Sequence, residues 1–187
     1  MKKSFKPLTL SLTLAAAMIT SVTAYAEPTM SLENTSFIQS QKFTTFSAPQ
    51  KMSPAELADV ESRVIKVTPS INKKSSTFDA NAVQLYYVFY DLFPGHFIVS
   101  NGSVTLSSQS NVSLTLVQWA NDDSNANVTI RYQLVSSSNN SAVLEVDGVR
   151  KGTNETITFD NVPAGTYNVK IMNTIDSNDA QGNGYIE

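Results

Sequence analysis

The sequence predicts a mainly β fold: an antiparallel β-sandwich or jelly roll with one short N-terminal helix. Three observations predict it. From Val83 onward, short runs rich in Val, Ile, Thr, Tyr and Phe are separated by clusters of Asn, Asp, Gly and Ser, with turn signals about every eight to twelve residues and no helical crossover between them. Within the runs apolar and polar residues alternate, as in Val112, Leu114 and Leu116 against Ser113 and Thr115, or Val128, Ile130, Tyr132 and Leu134 against Thr129, Arg131 and Gln133. Such alternation buries one face of a strand and leaves the other wet. Only one segment of the chain carries clear helix signals.

The 187-residue chain opens with the basic start Met1-Lys2-Lys3-Ser4-Phe5-Lys6, continues with an uncharged run from Leu8 to Ala24, and reaches the small-residue pattern Ala24-Tyr25-Ala26. This is the three-part plan of a bacterial-type secretory signal, with cleavage expected after Ala26. Thr9, Ser11, Thr13, Thr20, Ser21 and Thr23 interrupt the run, which falls short of the roughly 20 strongly apolar residues of a membrane span. The expected address is secreted, extracellular or periplasmic, with no transmembrane segment after signal cleavage. Loss of residues 1–26 removes three lysines and no acidic residue, leaving 10 basic against 16 acidic residues and a net charge of −6. That balance argues against nucleic acid or an anionic membrane held by bulk charge. The chain has no cysteine, which excludes disulfides, thiolate metal sites and a cysteine nucleophile.

Residues 27–81 read as a polar leader. Up to about Lys51 it shows no sustained period. Then Ser53-Pro54-Ala55-Glu56 supplies an N-cap, a first-turn proline and the glutamate of a capping box. Leu57, Val60 and Val64 recur on one face and Thr68-Pro69 ends the pattern, which predicts a helix from Pro54 to Lys66. A connector from Ser70 to Asn81 contains Lys73-Lys74, read either as solvated linker or as a processing site that frees the downstream domain.

Residues 82–187 form the expected sandwich. Strands are predicted at 83–90, 96–100, 103–107, 112–119, 128–135, 142–146, 156–159 and 167–172, with a last one at 185–187. Asp147-Gly148 between Val146 and Val149 signals a hairpin, because the favoured two-residue turn needs positive φ.

The stretch from Asn154 to Ile171, with Val162-Pro163-Ala164-Gly165-Thr166-Tyr167 at its centre, together with Gly182-Asn183-Gly184-Tyr185-Ile186, resembles the closing half of pre-peptidase C-terminal type domains. Those are small β-sandwiches appended to secreted bacterial proteases. The likeness covers about 35 residues well, and no protease domain is expected before it. What the resemblance implies is a sandwich used for adhesion, solubilisation or substrate contact rather than catalysis.

The residues themselves offer little chemistry. A Ser-His-Asp mechanism needs a histidine, and the single one, His96, sits in the turn Phe93-Pro94-Gly95-His96-Phe97, away from any nucleophile-elbow setting. Paired-carboxylate hydrolysis would have to draw on Asp91, Glu145, Asp147, Glu155 and Asp160. The chain is therefore expected not to be an enzyme. Two Asp/Asn loops, one with Asp122 and Asp123 and one with Asp176 and Asp179, carry the closely spaced hard oxygens that calcium requires; the same residue types also make ordinary turns. Calcium is the one cofactor considered. On the strand Tyr86-Tyr87-Val88-Phe89-Tyr90 one face is expected in the core, and Tyr87 and Phe89 are read as the other, a binding surface or a face covered by the helix. Trp119, closing a strand beside the Asp122 loop, is a further candidate for stacking on a sugar. The expected function is a secreted, non-catalytic binding or surface protein contacting cell-envelope glycan or protein, or its own copies. The alternative is a small secreted toxin or protease inhibitor released near Lys73-Lys74.

Overall fold

Alternating runs become strands, and the computed structural model, which describes residues 43–71, 83–121, 126–175 and 177–187, orders them in two sheets. The described residues lie within one unit, Gln39–Glu187. In chain order the elements are β1 (Phe43–Thr44), β2 (Gln50–Lys51), α1 (Pro54–Ser62), β3 (Val64–Lys66) and β4 (Ser70–Ile71). The long strands follow: β5 (Leu85–Leu92), β6 (His96–Leu106), β7 (Ser110–Ala120), β8 (Thr129–Val135), β9 (Val143–Asp147), β10 (Arg150–Val162), β11 (Gly165–Asn173) and β12 (Ala180–Ile186).

Sheet I contains the long strands in the order β5-β12-β7-β10, and sheet II contains β6-β11-β8-β9. All contacts between these long strands are antiparallel. The chain changes sheet at every connection except β8 to β9, which gives the interleaved strand order of an eight-stranded jelly roll. The expected sandwich class is thus the observed one. Asp147-Gly148 does turn, with Gly148 at φ +86°, yet it makes no hairpin: β9 pairs with β8, whereas β10 pairs with β7 in the other sheet. The two strands predicted at 96–100 and 103–107 are one strand, β6. Asn101 and Gly102 form a bulge in it, since Asn168 faces Ser103 and Lys170 faces Val99. Side chains satisfy that bulge: Asn168 Nδ2 donates to the carbonyls of Ser100 and Gly102 at 2.8 and 3.1 Å.

Between the sheets lies a core that includes Tyr87, Phe89, Leu114, Leu116, Ile130, Tyr132, Phe159, Tyr167 and Ile171. The inward positions of the central strand β12 are Ala180, Gly182, Gly184 and Ile186, and the two glycines are required by their neighbours. A Cβ on Gly182 would lie 2.8 Å from the Phe89 ring, and one on Gly184 would lie 2.6 Å from the Tyr87 hydroxyl and 1.9 Å from the Thr115 carbonyl oxygen. The two rings of β5 therefore lie over β12, and the Tyr87 hydroxyl donates across it to Thr115 O at 3.2 Å. A second buried polar link ties the sheets together. Tyr132 Oη donates to Gln118 Oε1 at 3.0 Å, and Gln118 Nε2 donates to the Val146 and Gly148 carbonyls, each at 3.0 Å. Desolvation pushes the Tyr87 and Tyr132 phenols far above the ordinary tyrosine range.

The expected leader is part of the sandwich wherever it is described. β1 lies parallel on β5, β2 antiparallel on β6, β3 parallel on β9 and β4 antiparallel on β10. Each of these short strands therefore closes one outer edge of the long-strand sheets. The predicted capping box is present, with Glu56 N and Ser53 Oγ at 3.2 Å and Ser53 N and Glu56 Oε2 at 2.9 Å. The helix ends at Ser62 instead of Lys66, because the β-branched pair Val64-Ile65 continues as β3 against Val143 and Leu144. Helix α1 covers the outer face of sheet II, where Val60 and Leu57 pack with Met52, Phe97, Val143 and Met172.

A charge cluster fastens this layer. Arg131 of β8 and Glu145 of β9 face each other across the strands, are nearly fully buried, and pair at 2.7 Å. Glu61 of the helix reaches Arg131 at 2.8 Å, and Lys66 of β3 reaches Glu145 at 3.1 Å. Next to it Lys170 lies with Nζ 3.9 Å from the centre of the Phe97 ring. Its pKa is lowered chiefly by burial, with Glu56 pulling the other way.

Two outcomes test this account. Gly184→Ala should lose about 3 kcal/mol or more of stability, because the added carbon meets a backbone carbonyl that cannot yield; thermal unfolding reads it, and an unchanged melting temperature would refute the packing argument. Glu145→Gln should cost about 3 kcal/mol in urea unfolding at neutral pH, since Arg131 would stay buried without its full partner.

Candidate functional site

Because Tyr87 and Phe89 fill the space over the β12 glycines, the alternate side chains of β5 face outward. Tyr87 and Phe89 are only 1% and 2% exposed, so the binding surface expected from these two residues is corrected: they are core. Nor does the helix cover this strand, for α1 lies on sheet II. The outward residues of β5 are Tyr86, Val88 and Tyr90.

Strand register then sets out rows across the outer face of sheet I. One row runs Phe43, Tyr86, Tyr185, Thr115, Thr156, with ring centres 5.6 Å apart between Phe43 and Tyr86 and 6.0 Å apart between Tyr86 and Tyr185. Thr115 and Thr156 close it through their hydroxyls, 3.1 Å apart. The next row is Val88, Asn183, Val117. The third row carries the candidate site. Trp119 of β7 faces Gln181 of β12, and Tyr90 of β5 flanks Gln181 on the other side.

A bulge positions Tyr90. Phe89 faces Gly182 and Leu92 faces Ala180, so β5 carries one extra residue there. Asp91 takes φ +50°, which brings both Tyr90 and Asp91 to the surface and returns Leu92 to the core. Tyr90 is 66% exposed, while Trp119 is half-buried. Beyond Trp119, on β10, the exposed Lys151 holds its ammonium 5.8 Å from the indole centre. Tyr90 and Trp119 thus stand two strand spacings apart, about 9–10 Å, with the amide of Gln181 between them. Two ring faces flanking a hydrogen-bonding amide on a flat sheet suit an extended ligand with apolar faces and hydroxyl edges.

The strip borders the loop end of the sandwich, where two asparagines bracket the same two chain segments. Asn121 donates its side-chain amide to Asp91 Oδ1 at 2.6 Å and its backbone N–H to Asp179 O at 2.9 Å. Asn173, fully buried, donates to Leu92 O and Asn178 O, each at 2.7 Å. Of the four residues expected to bind calcium, Asp122, Asp123 and Asp176 lie outside the described residues. Asp179 is partly buried, next to Asn121. Among the described residues no group of three or more His, Cys, Asp or Glu side chains is placed to hold a metal ion.

Of the carboxylates considered for hydrolysis, four are engaged in ion pairs and hydrogen bonds, and Glu145 and Asp147 share Lys66, at 3.1 and 3.9 Å. Glu145 is in the Arg131 cluster, Glu155 is 3.4 Å from Arg150, Asp147 accepts from Thr129 at 2.9 Å, and Asp91 accepts from Asn121. Asp160 is exposed on β10. His96 Nδ1 lies 3.0 Å from Pro94 O, and its ring packs edge-on with Phe93. Lys73 and Lys74 lie outside the described residues.

Of the strip, the sequence pointed to Trp119 as a candidate and not to Tyr90, Gln181 or Lys151. The available signal was the pair Gly182 and Gly184, which mark where large rings from a neighbouring strand must point inward and so fix which tyrosines point out. No protein-family model and no curated protein matches the chain.

Proposed function

We propose that the chain is an exported, non-catalytic binding module that holds an extended glycan of the cell envelope across the outer face of sheet I. The observation that carries this reading is the row Tyr90, Gln181, Trp119, in which two aromatic side chains on alternate strands flank an amide. Sugar rings present apolar C–H faces that stack on aromatic rings and equatorial hydroxyls that bond to amides. Two strand spacings are of the order of the advance of two sugars along an extended chain. The three-part N-terminal pattern of residues 1–26 supports an exported address. A non-catalytic role is supported by the ion pairs and hydrogen bonds that engage Glu145, Asp147, Glu155 and Asp91 and by the setting of the single histidine.

Co-sedimentation of the purified protein with cell-wall sacculi, a panel of insoluble polysaccharides and lipid vesicles, in calcium and in chelator, tests the reading. Saturable binding to a polysaccharide is expected. Trp119→Ala and Tyr90→Ala should each weaken it tenfold or more, as loss of a central aromatic anchor does; thermal unfolding should be unchanged for the exposed Tyr90 and lowered without loss of the cooperative transition for the half-buried Trp119. Binding that is confined to vesicles, or that survives both substitutions, would overturn it.

A further inference from the structure

The charge beside the strip narrows the ligand class, and this step rests on the glycan reading above. Seven cationic side chains are described: Lys51, Arg63, Lys66, Arg131, Arg150, Lys151 and Lys170. Four of them are neutralised by carboxylates: Arg63 by Asp59, Lys66 by Glu145, Arg131 by Glu145 and Glu61, and Arg150 by Glu155. Lys170 is half-buried at the Phe97 ring, beside Glu56 and Asp59. Lys51 lies away from the strip, on β2 at the edge of sheet II.

Lys151 differs from all of these. It is exposed, and its ammonium lies 5.8 Å from the centre of the Trp119 ring. The neighbouring Arg150 is not equivalent, because its guanidinium is spent on Asp147 O at 3.1 and 2.8 Å and on Glu155. At the other end of the row, the carboxylate of Asp91 takes the amide of Asn121. The row therefore runs from a negative end at β5, through Tyr90, Gln181 and Trp119, to a positive end at β10. In a protein with a net negative charge, an ammonium beside the Trp119 ring that has no carboxylate partner among the described residues is a local feature that an anionic group on the ligand would use best.

We propose that the strip is selective for an acidic glycan, a linear polysaccharide of uronic-acid type. One sugar stacks on Trp119 with its carboxylate on Lys151, and the hydroxyl edge of the next sugars lies along Gln181 toward Tyr90. Asp91 repels a carboxylate at the far end, which gives the bound chain a direction as well as a charge preference. Because the ion pair forms at the surface, binding weakens with added salt.

A matched pair of ligands tests this without confusing it with the glycan reading: polygalacturonate, and the same polymer with its carboxyls methyl-esterified. The intact protein should bind the acid form at least tenfold more tightly than the ester at low salt, and the difference should shrink in 0.5 M sodium chloride. Lys151→Ala should bring the acid form down to the level of the ester and leave ester binding unchanged; Lys151→Arg should keep most of the preference. Thermal unfolding of both variants should match that of the parent, since the side chain is exposed. Equal binding of acid and ester, or a preference that survives Lys151→Ala, overturns the inference while leaving the glycan reading intact. If neither polymer binds but a neutral polysaccharide of the wider panel does, the acidic class is wrong and the strip stands. If polyglutamate of the same charge density binds as tightly as polygalacturonate, charge alone is being read and the sugar-specific inference fails.

Discussion

Two aromatic rings laid over two glycines set the arrangement of sheet I. Tyr87 and Phe89 are too large to stand beside a side chain on the central strand, and Gly184 and Gly182 give them the room. An aromatic ring covering a glycine on the neighbouring strand restores the apolar contact that the glycine lacks and pins the register of the pair. Once β5 is fixed in that sense, every other orientation follows from the period of two: Tyr86, Val88 and Tyr90 must face out, as must Gln181 and Asn183 of β12 and Val117 and Trp119 of β7. A slip of one residue would bury Tyr90 and expose Phe89. The proposed binding face is therefore a consequence of core packing.

The second constraint comes from the edges. Two four-stranded sheets leave four rows of unpaired backbone groups, each a template for unwanted pairing. One segment, residues 43–71, supplies a strand of two or three residues to every one of those edges. Such short strands cannot hold themselves in place by pairing alone. The helix between β2 and β3 supplies the missing attachment by burying Val60 against Met172 and Val143, and Glu61 and Lys66 close on the buried Arg131 and Glu145. Sheet II thus has its outer face occupied by the helix, whereas the aromatic rows stand on sheet I. The asymmetry between the two faces follows from where the helix lands.

How much of this was legible in the sequence differs from element to element. The alternation in β7 and β8 gave correct strands and correct inward faces, since each has one apolar side. The capping box at Ser53 and Glu56 placed the start of the helix to the residue. Asp147-Gly148 was legible as a turn but not as a crossing between sheets, because the local backbone of a tight turn does not say which partner the next strand will find. The four short edge strands were invisible for a simpler reason: a strand of two or three residues has no period to read. For β5 the pattern itself was ambiguous, with Tyr86, Val88 and Tyr90 as apolar as Tyr87 and Phe89. That choice was made by Gly182 and Gly184 at the far end of the chain, a contact that no local window contains.

The same contact bears on what kind of binding the strip can support. Tyr90, Gln181, Trp119 and Lys151 stand on four adjacent, hydrogen-bonded strands, β5, β12, β7 and β10, with Gln181 and Trp119 directly paired. Their relative spacing is fixed by the sheet rather than by a loop, so a ligand need only settle a few side-chain rotamers. The bulge at Tyr90 and Asp91 is anchored: Asn121 holds the Asp91 carboxylate, and Asn173 holds the carbonyl of Leu92 just beyond it; a second irregularity lies at Lys151, between Arg150 and Glu155 of β10. The row stands on the outer face of sheet I, between paired strands. On the proposed glycan reading it would gain affinity by repeating weak contacts along a polymer with a regular sugar repeat.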